Sequence, residues 1–158
     1  MRFRKLTLEE LAPLEQEFKQ FLIVNNIHDA EWRNLNLHEP EKVNSLIEVF
    51  SDTVLFKVYG KISHLEFHTK DNFSLFEINS NWIESIHILT KSKEFEVPTS
   101  LQDIFSFPDR YTIQKGKKKI NGSKEDEVHK LIINGCIPCS KINWKLLAKY
   151  LKVILPSH

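Results

Sequence analysis

Hydrophobic positions in the N-terminal part of the chain recur at three- and four-residue intervals, the period of an amphipathic helix. Leu11, Leu14, Phe18, Phe21 and Leu22 make the first stripe, and Thr7 with Glu10 three residues later forms a capping box ahead of it. The spacing predicts a helix running to about Val24. Pro13 lies too deep inside that helix to be neutral, because it lacks an amide donor and its ring crowds the preceding turn. A kink or a true helix start is expected there. Asn25-Asn26 closes the segment, and Asp29 is placed to cap a short second helix bearing Trp32 and Leu35. Pro40 suits the first position of a long third helix. Its stripe of Val43, Leu46, Ile47, Phe50, Val54 and Val58 leads to Gly60 as a left-handed stop.

Beyond Gly60 the composition shifts toward strand formers. Three strands are predicted near Ile62 to His68, Phe73 to Asn79 and Trp82 to Leu89, separated by Lys70-Asp71-Asn72 and Ser80-Asn81, as in an antiparallel meander. Residues 90–110 are polar and punctuated by proline, with one helical turn over Leu101 to Phe105 capped by Ser100. Tyr111 to Gln114 reads as a short strand entering a turn at Lys115-Gly116-Lys117. Ser123 then caps a helix over Lys124 to Asn134 with Gly135 past its end, and Ser140 caps a last helix from Lys141 to about Ile154, before Pro156. The expected fold is α+β in a single domain over residues 1–158. It has a helical part (1–60), a small antiparallel sheet of three to four strands (61–115) and a C-terminal helix pair (123–155).

Composition supports order rather than disorder: 41% of the 158 residues are hydrophobic and 27% charged, with four Gly and six Pro. The longest apolar runs, such as Phe21-Leu22-Ile23-Val24, fall far short of the roughly 20 residues that cross a bilayer. The N-terminus is basic, but Glu9, Glu10, Glu15 and Glu17 follow where a secretory signal needs an apolar core, and two cysteines make no disulfide framework. A cytoplasmic protein with no membrane association is expected. The net charge of +1 hides a polarised chain. Residues 1–109 carry 11 basic and 18 acidic side chains, net −7, whereas residues 110–158 carry 11 basic and 3 acidic, net +8.

An ordered set of short motifs adds a resemblance. It comprises Arg4-Lys5-Leu6-Thr7, Glu9-Glu10-Leu11, Glu17-Phe18 with Phe21-Leu22, Asn26-Ile27, Glu31-Trp32, Pro40-Glu41-Lys42, Phe50-Ser51-Asp52 and Leu65-Glu66-Phe67. Together they resemble an uncharacterised family of short Bacteroidetes proteins, classed as a domain of unknown function. The similarity resumes at Lys118-Lys119 and at Leu131-Ile132 with Asn134-Gly135. The sequence departs from the family pattern at Pro13, and at Cys136 and Cys139, where relatives carry small or aliphatic residues. The resemblance implies no activity and names no active site.

Candidate chemistry is sparse. Cys136-Ile137-Pro138-Cys139 has the form by which thioredoxin-like enzymes acidify a thiol, but a helix precedes it where those enzymes have a strand. The cysteines read as small apolar residues of an interhelical turn. A zinc site drawn from His129, Cys136 and Cys139 is outweighed by bland roles. So is a deaminase reading of His64-x-Glu66 with the two cysteines, because Gly135 stands where that signature needs proline. His64, Glu66 and His68 read as solvated positions on a half-exposed sheet, the outer pair roughly 13 Å apart along the strand. No nucleophile elbow, phosphate-binding loop or dinucleotide fingerprint occurs. Glu9-Glu10 and Glu125-Asp126-Glu127 sit at helix starts, where the dipole favours them. No cofactor, metal or catalytic residue is expected.

The basic C-terminal third is the functional lead. Lys141, Lys145, Lys149 and Lys152 fall within roughly 80° of one another on a helical projection, opposite Trp144, Leu147, Leu151 and Ile154. With Lys115, Lys117, Lys118, Lys119 and Lys124 they form the candidate partner-binding surface. The expected role is a non-enzymatic interaction or accessory module for an acidic protein partner or larger assembly. The alternative is a nucleic-acid-associated accessory protein using the same lysines.

Overall fold

The capping box forms as its residues dictate: the Glu10 amide donates to the Thr7 hydroxyl at 3.2 Å and the Thr7 amide to the Glu10 carboxylate at 2.9 Å. It opens helix α1 (Leu8–Leu11) in the computed structural model, which describes residues 1–154 and the side chains of residues 1–152. The expected burial of the Ile154 side chain and the stop at Pro156 fall outside the described residues. Two compact units are distinguished, residues 1–58 and 59–158.

In the first unit the expected disturbance at Pro13 is a 3-10 turn, Ala12–Leu14, in which proline occupies an early position whose amide needs no partner. Helix α2 (Glu15–Val24) follows and ends where Asn26 turns left-handed at φ 59°. Helix α3 spans Asp29–His38. Its N-cap is the extended His28 rather than the expected Asp29, which is instead the first helical residue and faces the dipole from within the first turn. Helix α4 (Pro40–Lys61) begins at proline as expected. Phe18 is edge-on to both Trp32 and Phe50, with ring centroids 5.3 and 4.9 Å away. The N-terminal segment is tied to α4 by Asp52, which accepts from the Arg2 and Phe3 amides. Fully buried Ser51 accepts from the Leu6 amide at 3.0 Å and donates to the Ile47 carbonyl.

The second unit is built on an antiparallel sheet with strand order β4-β3-β2-β1-β5. Its strands are β1 (His64–His68), β2 (Asn72–Ile78), β3 (Trp82–Thr90), β4 (Tyr111–Lys119) and β5 (Ile137–Pro138). The α+β class and the β1-β2-β3 meander are as expected, but the sheet has five strands rather than three or four. Register places Phe73 and Leu75 of β2 beside Ile88 and Ile86 of β3. That face is covered by α5 (Leu101–Ser106) and α7 (Ile142–Ile154), whose Leu101, Ile104, Trp144, Leu147 and Leu151 complete one buried cluster with them. Phe105 of α5 stacks on Tyr150 of α7 at 4.1 Å. Helix α6 (Lys124–Ile133) starts at Ser123, whose hydroxyl accepts from the Asp126 amide.

Three local expectations are corrected. Lys115-Gly116-Lys117 is not a turn: β4 runs on to Lys119, pairing residue by residue with β3 from Thr90 back to Trp82. Gly116 lies opposite Ser85, and a Cβ on it would stand 2.6 Å from Ser85 Oγ, so the glycine answers a close approach within the sheet. Gly60 is not a left-handed stop but a helical residue inside the last turn of α4; a Cβ there would lie 3.1 Å from Glu125 Oε1, where the start of α6 packs. The segment Cys136 to Cys139 is not a plain interhelical turn, since Ile137 and Pro138 pair with Glu66 and Leu65 as β5 and the Cys139 amide donates to the His64 carbonyl. Gly135, at φ +100°, makes the left-handed exit from α6 that was expected of it. Helix α7 begins at Ile142, one residue later than expected, with Ser140 Oγ accepting from the Ile142 amide. Among the described residues no helix is long and apolar enough to cross a membrane.

Candidate functional site

Alternation along β4 sorts its lysines. Lys115, Lys117 and Lys119 pair with Ile86, Glu84 and Trp82, and side chains at pairing positions share a face of the sheet. Because Ile86 belongs to the cluster under α7, these three lysines stand on the α7 side. Lys118 points the other way, where its ammonium meets the Glu127 carboxylate of α6 at 2.9 Å. Lys124, at the start of α6, donates to the Gly60 carbonyl at 2.9 Å.

Helix α7 contributes the second wall. Trp144, Leu147 and Leu151 are buried while Lys145, Lys149 and Lys152 are exposed, as amphipathic spacing requires; Lys141, also exposed, precedes the helix. Lys141, Lys145, Ala148 and Lys152 follow one another at four-, three- and four-residue steps, a single row along the helix. The lower end of that row meets β4 in a groove of about 490 Å³ lined by Glu84, Ile86, Lys115, Lys117, Trp144 and Lys152, among others. The structure therefore brings Lys115, Lys117 and Lys152 together, with Lys119 on the same face. Lys141, Lys145 and Lys149 stay on the exposed surface of α7. Lys118 and Lys124 are spent on contacts within the fold.

Charge in the groove is only partly compensated. Lys117 lies 3.3 Å from Glu84 and 4.9 Å from the centre of the Trp82 ring. Lys115, Lys119, Lys141, Lys145, Lys149 and Lys152 have no anionic partner among the described residues. Glu127 is buried and bracketed by Lys118 and Lys130; the Lys118 hydrogen bond is the main reason its carboxyl is held below the ordinary range. Sequence reasoning missed Glu84, Ile86 and Trp144 as groove residues, although the alternation Trp82-x-Glu84-x-Ile86 carried the signal that they share a face.

The other candidate groups meet different fates. His64 is buried, not solvated, and its ring nitrogens lie 2.9 Å from Ser63 Oγ and 3.0 Å from Glu77 Oε2. His68 is exposed, with Nε2 2.8 Å from the Val97 carbonyl. Both cysteines are free thiols whose pKa is raised by burial, that of Cys139 to about 11 with a further push from Glu66, the reverse of what a reactive thiolate needs. Among the described residues no three His, Cys, Asp or Glu side chains group to hold a metal ion.

A polar chain that sequence reasoning did not find crosses the opposite face of the sheet. Buried Ser74 donates to Asn72 Oδ1 at 3.0 Å and so accepts from His87 Nδ1 at 2.6 Å, leaving His87 Nε2 to accept from the Ser85 hydroxyl at 3.1 Å. Burial pushes the His87 pKa down, which agrees with a neutral ring in that tautomer. Each member satisfies the next, and that accounts for a serine buried in mid-sheet.

A model of a family of unknown function, DUF6495, matches residues 1–152, which include both walls of the groove. The chain belongs to that family. No curated protein and no solved structure matches the DUF6495 chain, so its groove stands on geometry alone.

Proposed function

We propose that this DUF6495 protein is a non-enzymatic interaction module whose β4–α7 surface docks an acidic region of a protein partner. One observation carries the reading. Strand β4 and helix α7 converge three lysines on one apolar-floored groove, and two of those three, Lys115 and Lys152, have no anionic partner among the described residues. Ile86 and Trp144, both buried, form a fixed floor beneath exposed ammonium groups, which leaves the rim open to a partner's carboxylates. The lysine-only character of the surface fits point-charge attraction rather than the bidentate grip by which arginine reads bases.

The test compares a labelled acidic peptide with a labelled single-stranded RNA of equal charge, titrated into the full chain by fluorescence anisotropy. The peptide is expected to bind more tightly than the RNA, to weaken as salt rises, and to lose roughly fivefold or more in the double variant Lys115→Glu, Lys152→Glu. Tighter binding of the RNA would favour a nucleic-acid accessory role instead. Equal binding of the variant and the parent protein would remove the groove from the argument.

A further inference from the structure

Among the described residues the sheet has one long open edge: β4 pairs there with β3 alone, and on its other side every second residue turns its amide and carbonyl outward. At the opposite end β5 covers Leu65 and Glu66 of β1. We infer that the β4 edge takes up an extended acidic segment of the partner as a sixth strand, a proposal that rests on the acidic-partner reading above.

Register supplies the recognition rule. A strand added to β4 sets alternate side chains directly opposite Lys115, Lys117 and Lys119, with Cβ atoms roughly 4.5–5.5 Å apart. Carboxylates at every second position would meet the unpaired Lys115 and Lys119 on the α7 side and, between them, Lys117, which they would share with Glu84. The intervening side chains would face Gln114, Gly116 and Lys118 on the other side, where Lys118 is already held by Glu127. The preferred segment is therefore acidic at alternate positions, uncharged between them, and free of proline, whose missing amide would break the ladder. The same lysines discriminate against a second copy of this chain. Antiparallel pairing of two β4 edges through this stretch would set lysine against lysine, and like charges directly opposite are destabilising. Lysine on an edge strand is a known guard against self-pairing, but that role asks nothing of the neighbouring helix. Here Lys152 of α7 reinforces the same face beside Lys115 and Lys117.

The experiment uses the full chain and two synthetic nine-residue peptides of identical composition. One carries glutamates at alternate positions among Thr and Val; the other carries the same glutamates contiguously. A third peptide repeats the alternating sequence with N-methyl groups on the amides that would enter the ladder. Anisotropy gives affinity, and hydrogen exchange reports the amides of Tyr111–Lys119. The alternating peptide is expected to bind about tenfold more tightly than its contiguous isomer, to slow exchange along β4, and to lose binding on N-methylation. Equal affinity of the two isomers without protection of β4 overturns strand addition but leaves charge-driven docking standing. Absence of binding by any acidic peptide overturns both readings. Loss of affinity in Lys119→Glu, which lies outside the groove lining but on the same strand face, supports the added strand over occupation of the groove alone.

Discussion

Replacing Gly60 by alanine separates two descriptions of the end of α4 by the sign of the effect. Were Gly60 a left-handed cap, a side chain would cost about 1–2 kcal/mol. In the structure Gly60 is helical, and removing glycine from a helix gains up to about 1 kcal/mol, less in a last turn where fraying already shares the cost. Against that gain stands one contact: the new Cβ would lie 3.1 Å from Glu125 Oε1, the mobile end of a long side chain that can withdraw by a few tenths of an ångström. The Lys124 ammonium bond to the Gly60 carbonyl is untouched, because it uses the backbone. The net expectation is a small gain of roughly 0.3–0.5 kcal/mol, about 1–2 °C in Tm for a chain of this size. Gly135→Ala is the built-in contrast. There φ is +100° and the Cβ would press on Phe67 Cε2 at 3.1 Å, so a loss of about 1–2 kcal/mol or more is expected. Urea unfolding of the two variants beside the parent protein gives both numbers. A loss of 1 kcal/mol or more in Gly60→Ala would refute the helical assignment and the reasoning built on it.

Other consequences are equally direct. Leu147 is fully buried between α7 and the sheet, and Leu147→Ala should cost about 2–5 kcal/mol in urea unfolding, against less than 1 kcal/mol for Lys149→Ala on the exposed side of the same helix. The Arg4 guanidinium, donating to Glu10 at 2.7 Å, holds that carboxyl at about 2 against an ordinary 4.5, with the Thr7 amide assisting. A carboxyl depressed in the folded state stabilises above its unfolded pKa, and that contribution disappears as pH falls from about 4.5 to about 2. Since the Glu10 side chain is 39% exposed, screening reduces the effect to about 1 kcal/mol. Glu10→Gln should flatten that part of the curve of unfolding midpoint against pH, and an unchanged curve would count against the pair. Cys139, with its pKa near 11, should alkylate with iodoacetamide at pH 8 far more slowly than an unstructured cysteine, and at the ordinary rate in urea; rapid labelling of the folded chain would contradict the burial that raises it.

The elements that could be read from the sequence are those whose causes are local. The Thr7–Glu10 box and the Ser123 cap depend on neighbours three residues apart, and both formed as expected, whereas the stripe of α4 holds only as far as Phe50: Val58 is exposed, and Leu55 and Tyr59 are buried in its place. What could not be read depends on partners distant in the chain. β5 is two residues long, one of them proline, and exists because the edge of β1 offers it hydrogen bonds. Gly116 imitates a turn signal within a lysine run, yet its cause is Ser85 on the neighbouring strand. Gly60 likewise imitates a helix stop, yet it is helical and meets only the mobile end of Glu125 on α6. The candidate surface divides in the same way. The amphipathic face of α7 was visible as spacing, whereas the split of Lys117 from Lys118 onto opposite faces follows from register, and the groove follows from packing between β3, β4 and α7.

The two ends of the sheet differ in a way that sets valency. β5 covers two residues of β1 at one end, while β4 at the other is nine residues long and bordered by cations. A two-residue border that includes proline offers little room for growth, so the nine-residue β4 is the main place for it, and a guest strand accepted there becomes the new border. If that guest carries alternating carboxylates, it replaces a fringe of lysines with a sheet margin largely neutralised by its own pairing. The molecule would then act as a terminus, holding one segment per copy, rather than as a link in a polymer.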